Sequence, residues 1–285
     1  MAVYKRGYQR YDGPRTGSLT RLLSFPRMAW QRLLAQRLVT IVLMLAMIWP
    51  LLCAGFIYLS NHSELWPGLD RDVMELLEIG PSFFIIFTHV QASFVVIAAA
   101  LIGPGLIAPD LANGGLPLYL SRPSTRAGYV AARLLVLVAL FSLLTWVPGL
   151  LLFLLQCSLA GWTWASTNWR IAAGLPIGFG CWILLVSLVA LTSSAWVRWR
   201  MVAGGAVLGF FFLTAGAAVM VNAIFRDTWG SYLNPAKLID GLFRALFGLT
   251  DDVVTPAGGA LVLAAMGIVL CAALLRKLRP VEVVR

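Results

Sequence analysis

Phe83–Ile107 reads FFIIFTHVQASFVVIAAALIGPGLI, twenty-five residues without an aspartate, glutamate, lysine or arginine. As a helix it would rise by about 37 Å, more than the ~30 Å hydrocarbon core of a bilayer. A soluble protein with a greasy core does not need uncharged runs this long, so the stretch reads as a membrane span. Composition agrees. The 285-residue chain is 60 % apolar and 12 % charged, about half the charged share of a typical soluble domain. Glycine and tryptophan, at 26 and 11 residues, are abundant, as is common in membrane proteins.

Working outward, the same reasoning places six spans: Leu38–Leu59, Phe83–Ile107, Leu134–Leu155, Ile171–Leu191, Met201–Val221 and Ala257–Leu275. The fold class expected is an all-α polytopic membrane protein. Residues 1–37 form an N-terminal segment, 38–275 the membrane domain and 276–285 a tail. The basic start MAVYKRGYQRYDGPRTG is not followed by a short apolar core and a small-residue cleavage site, so it is not read as a cleaved signal peptide.

Charge sets the expected orientation. With both termini on one side, that side holds 17 of the 22 lysines and arginines, whereas nine of the 12 acids fall on the other. The positive-inside rule then puts both termini in the cytoplasm, in a bacterial or archaeal inner membrane. The net charge of +10 is accordingly an anchor to anionic lipid and not a nucleic-acid footprint.

Before the first span, Leu19, Leu22, Leu23, Pro26, Ala29, Trp30, Leu33 and Leu34 share one arc of a 3.6-residue period. Arg21, Ser24, Arg27, Gln31 and Arg32 share the opposite one. This predicts an amphipathic elbow helix in the inner interface, packed against the first span, with Arg21, Arg27 and Arg32 toward phosphates and Trp30 at headgroup depth. In the exterior segment 223–256, Asn234 and Pro235 are start signals for a short helix that continues through Leu238, Leu242, Phe243, Leu246 and Phe247.

The chemistry that is missing narrows the function. No acid lies at the centre of a span, which weakens an ion-coupled carrier. The two histidines, His62 and His89, cannot supply a transmembrane haem or a zinc site. His89 and Gln91 in the second span point in different directions, and serve either as interhelical hydrogen-bonding groups or as the lining of a path. Cys53, Cys157, Cys181 and Cys271 have no metal spacing and read as small buried hydrophobes. No Gly-x-x-x-x-Gly-Lys-Ser/Thr motif is present, so the chain is not expected to hydrolyse ATP, nor to be an enzyme or hold a cofactor of its own.

The loop 108–130 is the most specific feature. PDLANGGLPLYLSRPSTRAGYVAARLL, Pro109–Leu135, carries one acid against three arginines. Pro109 and Asp110 suit a first helical turn, and Asn113-Gly114-Gly115 suits a break. The apolar LPLYL needs cover from the bundle or from another protein. Arg122, Pro123, Arg126 and Arg133 follow as stiffened positive charge. SSAWVRWRM, with Arg198 and Arg200, offers a second basic link on the same side.

These residues resemble the permease subunits of type-2 ABC transporters, including the branch related to the nitrous-oxide-reductase maturation permease. In that family an acidic residue, a polar and glycine pair, a leucine-rich step, Pro-x-x-Arg and a basic residue starting the third span recur. Here Asp110, Asn113, Gly114, Leu116, Leu118, Leu120, Arg122, Pro123, Arg126 and Arg133 stand at the matching places. The resemblance implies six spans, an elbow helix, short exterior helices before the sixth span, and a loop that transmits motion from cytosolic ATPase subunits. It implies a second permease chain, as homodimer or heterodimer, with ATP and Mg belonging to the ATPase partner. With ten residues after the last span, that ATPase is expected to be a separate polypeptide. The apolar spans suit a hydrophobic or amphiphilic substrate. The alternative is a non-transporting structural or mechanical anchor in a larger envelope or respiratory complex.

Overall fold

Prolines shape this bundle as much as hydropathy does. In the computed structural model the described residues are 30–31, 33–62, 78–112, 126–197, 199–250 and 253–278, with side chains described for all but 109–112 and 126. In chain order the helices are α1 (Arg37–Asn61), α2 (Pro81–Ile102), α3 (Pro104–Ala112), α4 (Arg126–Leu144) and α5 (Trp146–Ala160). They continue with α6 (Trp162–Thr167), α7 (Trp169–Trp196) and α8 (Arg200–Phe225). A 3-10 turn (Trp229–Leu233), α9 (Pro235–Phe247) and α10 (Pro256–Lys277) complete the described chain.

Six helical stretches are long and apolar enough to cross a membrane: α1, α2 running into α3, α4 running into α5, α7, α8 and α10. The protein is an all-α polytopic membrane protein, and each stretch contains the span expected from hydropathy. The third is longer than expected, Ala127–Ala160 rather than Leu134–Leu155. Arg126 and Arg133 depress hydropathy there without interrupting the helix, so a hydropathy window starts the span two turns late.

Alternation of direction brings the starts of α1 and α8 and the ends of α3, α7 and α10 to one end of the bundle, the loop end. The segment containing α9 lies toward the other, the cap end. At the centre stands α7, packed against α2, α3, α4, α5, α8, α9 and α10. Its most apolar window is 67 % buried, against 11 % for both α8 and α10, which turn residues such as Phe212, Leu213, Leu261 and Ile268 outward. Apolar side chains on such faces need no protein partner when the solvent is lipid.

Each proline within a helix frees the carbonyl four residues earlier, because it has no N–H to offer. Pro50 in α1 frees Ala46, and Pro148 in α5 frees Leu144 just before the break at Thr145. The amide of Gln91, fully buried, donates to both carbonyls, 3.3 Å to Ala46 and a short contact to Leu144. One side chain of the second span thus satisfies acceptors on the first and third, which hydrocarbon could not do.

At the cap end, Asn234 Oδ1 accepts from the Ala236 amide at 3.0 Å and Pro235 occupies the first turn of α9. Gly248, at φ 83°, closes it, with Leu249 N–H donating to Arg244 O at 2.8 Å. Phe243 and Phe247 press α9 onto α7 where Gly174 and Gly178 leave room. A Cβ at Gly178 would stand 2.3 Å from the Phe243 ring. The rings continue inward, Phe243 to Phe179 at 5.0 Å and Phe179 to Phe87 at 6.4 Å, both edge-on.

The N-terminal segment is described only from Trp30. Its indole donates to Val136 O of α4 at 3.2 Å, and Leu33 is buried. The segment therefore touches the third span as well as the first, where the Thr40 hydroxyl donates to Leu34 O at 2.8 Å. Arg21, Arg27 and Arg32 lie outside the described residues. All four cysteines are free thiols, only Cys53 being fully buried.

Candidate functional site

The second span does not end where its hydropathy fades. Gly103 keeps right-handed helical angles, and its N–H donates to Ala99 O at 2.8 Å, but Pro104 cannot continue the ladder. The chain tightens, with Leu106 N–H donating to Gly103 O at 3.0 Å, and restarts as α3. The restart leaves first-turn amides without helical acceptors. Ser194, near the end of α7 and 1 % exposed, supplies one: its Oγ accepts from Ile107 N at 3.2 Å and Ala108 N at 2.9 Å. The same hydroxyl donates to Pro104 O at 3.1 Å. Its two lone pairs and one proton are all engaged.

The break is also gripped sterically. A Cβ on Gly103 would lie 2.6 Å from Ala190 Cβ of α7, and one on Gly204 of α8 would lie 2.5 Å from Ala100 O. Ala100 O is the carbonyl that Pro104 frees, so α8 approaches it backbone to backbone, a geometry in which a Cα–H can contribute a weak hydrogen bond. Spans four and five therefore hold the point at which span two turns into α3, and α3 leads directly into segment 113–125.

This corrects one expectation. Pro109 and Asp110 do not open a helix; they lie in the second half of α3, whose first turn is set by the Gly103–Pro104 step. Asn113, Gly114, Leu116, Leu118, Leu120, Arg122 and Pro123 lie outside the described residues. Arg126 is the first residue of α4, so Arg133 sits two turns inside the third span rather than at its start. The Arg133 guanidinium lies 5.3 Å from the centroid of the Tyr129 ring, one turn away on the same face.

Around the break the loop end carries further polar ties. Arg200 donates to Gln36 Oε1 at 2.5 Å, joining the start of α8 to the start of α1. Lys277 lies 5.1 Å from the Trp196 ring, joining the ends of α10 and α7. Trp196, Trp199 and Met201 are exposed there. Arg198 lies outside the described residues.

No protein-family model matches the chain, and no curated protein is significantly similar to it.

The second polar centre is at the cap end, and the sequence reached half of it. His89 and Gln91 diverge as expected: Gln91 enters the core, whereas His89 faces α9. His89 Nε2 donates to Asp240 Oδ1 at 2.8 Å, and Arg244 Nε lies 3.2 Å from each Asp240 oxygen. Burial opposes ionisation of Asp240, but hydrogen bonds and charge from His89, then from Arg244, outweigh it and hold the carboxyl below the ordinary carboxylate range. Sequence alone offers the Asp240–Arg244 pair, of opposite charge and four apart on a helix. It offers nothing that links Asp240 to His89. Ser194 and Gly204 also carried no local signal, since their roles depend on a helix packed across from them. No group of three or more metal-ligating side chains occurs among the described residues.

Proposed function

We propose that this chain is the membrane-spanning permease subunit of an ABC transporter of the type-2 class. It pairs with a second permease chain and is driven by separate cytosolic ATPase subunits that bind the 108–130 loop. Both termini lie in the cytoplasm of a bacterial or archaeal inner membrane, so the loop end is the cytoplasmic end and α9 lies toward the exterior. The single observation that carries this reading is the broken second span. A helix pinned at Gly103–Pro104 by Ser194 runs straight into a basic, proline-containing segment, so force applied to that segment is delivered to spans two, four and five together. On this reading the break takes the role of the two-state element that such coupling requires.

In this reading ATP closes the ATPase pair, the loop is displaced, and α3 turns about the break to change access to a path between the two permease chains. Asp110 and Arg126 flank the loop on helix ends and carry the contact. ATP and Mg belong to the partner, and this chain contributes no catalytic group. Six apolar spans without a central acid favour a hydrophobic or amphiphilic cargo.

The test is purification from the native membrane in mild detergent, identification of the co-eluting chains and an ATPase assay. A bound ATPase whose activity stays intact but is uncoupled from transport by Asp110→Asn with Arg126→Gln is the expected result. Recovery of the chain with envelope or redox subunits and no ATPase would replace the reading with that of a structural anchor. Normal transport by the double variant would remove the loop from the mechanism.

A further inference from the structure

The polar face of α9 is built as more than a latch. Lys237, Asp240 and Arg244 follow at i, i+3 and i+7 and so share one face of the helix. Leu238, Ile239, Phe243 and Phe247 bury the other. His89 joins the polar face from α2. Side-chain exposure is 48 % for His89 and 37 % for Arg244, against 13 % for Asp240, and Lys237 is exposed. The carboxylate is thus the recessed member, and the cations stand outside it.

The balance of charge and donors is lopsided. Asp240 is the one acid of the four, and both its oxygens are engaged by His89 and Arg244. Lys237 and Arg244 leave a surplus of one positive charge even with His89 neutral. Among the described residues nothing pairs with Lys237 or with the terminal guanidinium nitrogens of Arg244, and His89 Nδ1 has no partner there either.

Depth makes the surplus informative. His89 lies eight residues into the span that begins at Pro81, about 12 Å along the helix axis. Gly178, against which Phe243 packs, is nine residues from Trp169, a comparable depth of about 13 Å. Centred on a hydrocarbon core of ~30 Å, these 28-residue stretches overhang by about 6 Å at each end, so this level lies about 6 Å below the boundary of headgroups and acyl chains. A cation at that level with no partner among the described residues is costly unless an anion meets it. Below His89 on the same face of α2 lie Ser93, whose hydroxyl donates to His89 O at 2.9 Å, and Ile97, both exposed, so an uncharged track leads from the cluster toward the middle of the membrane.

We infer that Lys237, Arg244 and His89 form a binding site for the phosphate or carboxylate headgroup of an anionic amphiphile, whose chain lies along α2 past Ser93 and Ile97. Arg244 and Lys237 supply charge, His89 Nδ1 supplies a donor when the ring is protonated, and Asp240 holds the imidazole and the guanidinium in place. The inference requires the six spans to be membrane-embedded but not the ATPase partnership, so its failure would leave the proposed function standing.

The experiment is native mass spectrometry of the delipidated full chain, with any subunits that co-purify, titrated with dioleoyl phosphatidic acid, dioleoyl phosphatidylcholine and inorganic phosphate. One phosphatidic acid retained in preference to phosphatidylcholine, with affinity reduced about fivefold by Lys237→Gln, is expected. Arg244→Gln should weaken binding further, but it also disturbs Asp240, so the exposed Lys237 is the deciding position. Equal retention of the two lipids, or unchanged phosphatidic acid affinity in Lys237→Gln, would overturn the proposal. Binding of inorganic phosphate as tight as that of phosphatidic acid would overturn the amphiphile and leave a site for a free anion.

Discussion

Gln91 donates its side-chain amide to the carbonyl of Leu144, the carbonyl that Pro148 cannot use. Its other amide contact goes to Ala46, freed in the same way by Pro50. Replacing Gln91 by leucine is expected to destabilise the bundle by about 1–2 kcal/mol, at the roughly 0.6–1 kcal/mol typical of an interhelical hydrogen bond in a membrane. Pro148→Ala in that background returns an N–H to Leu144 and should recover part of the loss. Thermal unfolding of the detergent-solubilised protein reads both, and equal stability of Gln91→Leu and the native chain would count against the role.

Ser194→Ala removes an acceptor from two amides and a donor from Pro104 O while leaving the packing volume almost unchanged. About 1–3 kcal/mol is the usual scale for buried groups left without a partner. The loss should be local. Hydrogen exchange is expected to quicken across residues 105–112 and to stay unchanged in the first three turns of α2. Uniform loosening of the whole span would mean that the serine is simply part of the core.

Gly178→Ala places a methyl group against the Phe243 ring, with three ring atoms within 2.8 Å of the new carbon. Overpacking of this kind costs about 1–3 kcal/mol. Phe243→Leu should be destabilising alone yet rescue Gly178→Ala, giving a coupling energy that identifies the α7–α9 contact. Additive effects in the double-mutant cycle would show that α9 sits elsewhere.

Asp240 links α9 to acidity. Its folded carboxyl is held below the unfolded value, so the stabilisation is complete above that value and is lost as pH falls through the folded one. Spin labels on Leu242 and Ile86 should report a constant separation down to about pH 4 and an increase below it. Asp240→Asn should show no such transition. A separation insensitive to pH in the native chain would mean that apolar packing alone retains α9.

The spans were legible because hydropathy is a local property of twenty or so residues, and the start of α9 was legible because Asn234-Pro235 is a local signal. The start of α4 was misplaced because Arg126 and Arg133 lower hydropathy without altering helix propensity. The partners of Gln91 were invisible for a different reason. They are backbone carbonyls on two other spans, and their availability is created by prolines four residues further along each chain. His89 and Asp240 are 151 residues apart, and only the seating of α9 on Gly174 and Gly178 brings them together.

The Gly103–Pro104 break has a geometric consequence. The nine residues of α3 extend about 13 Å beyond it, so a tilt of about 10° there would sweep the far end through roughly 2 Å. Small angular play at the break is therefore carried to the end of the arm as a movement large enough to re-register whatever surface rests against it.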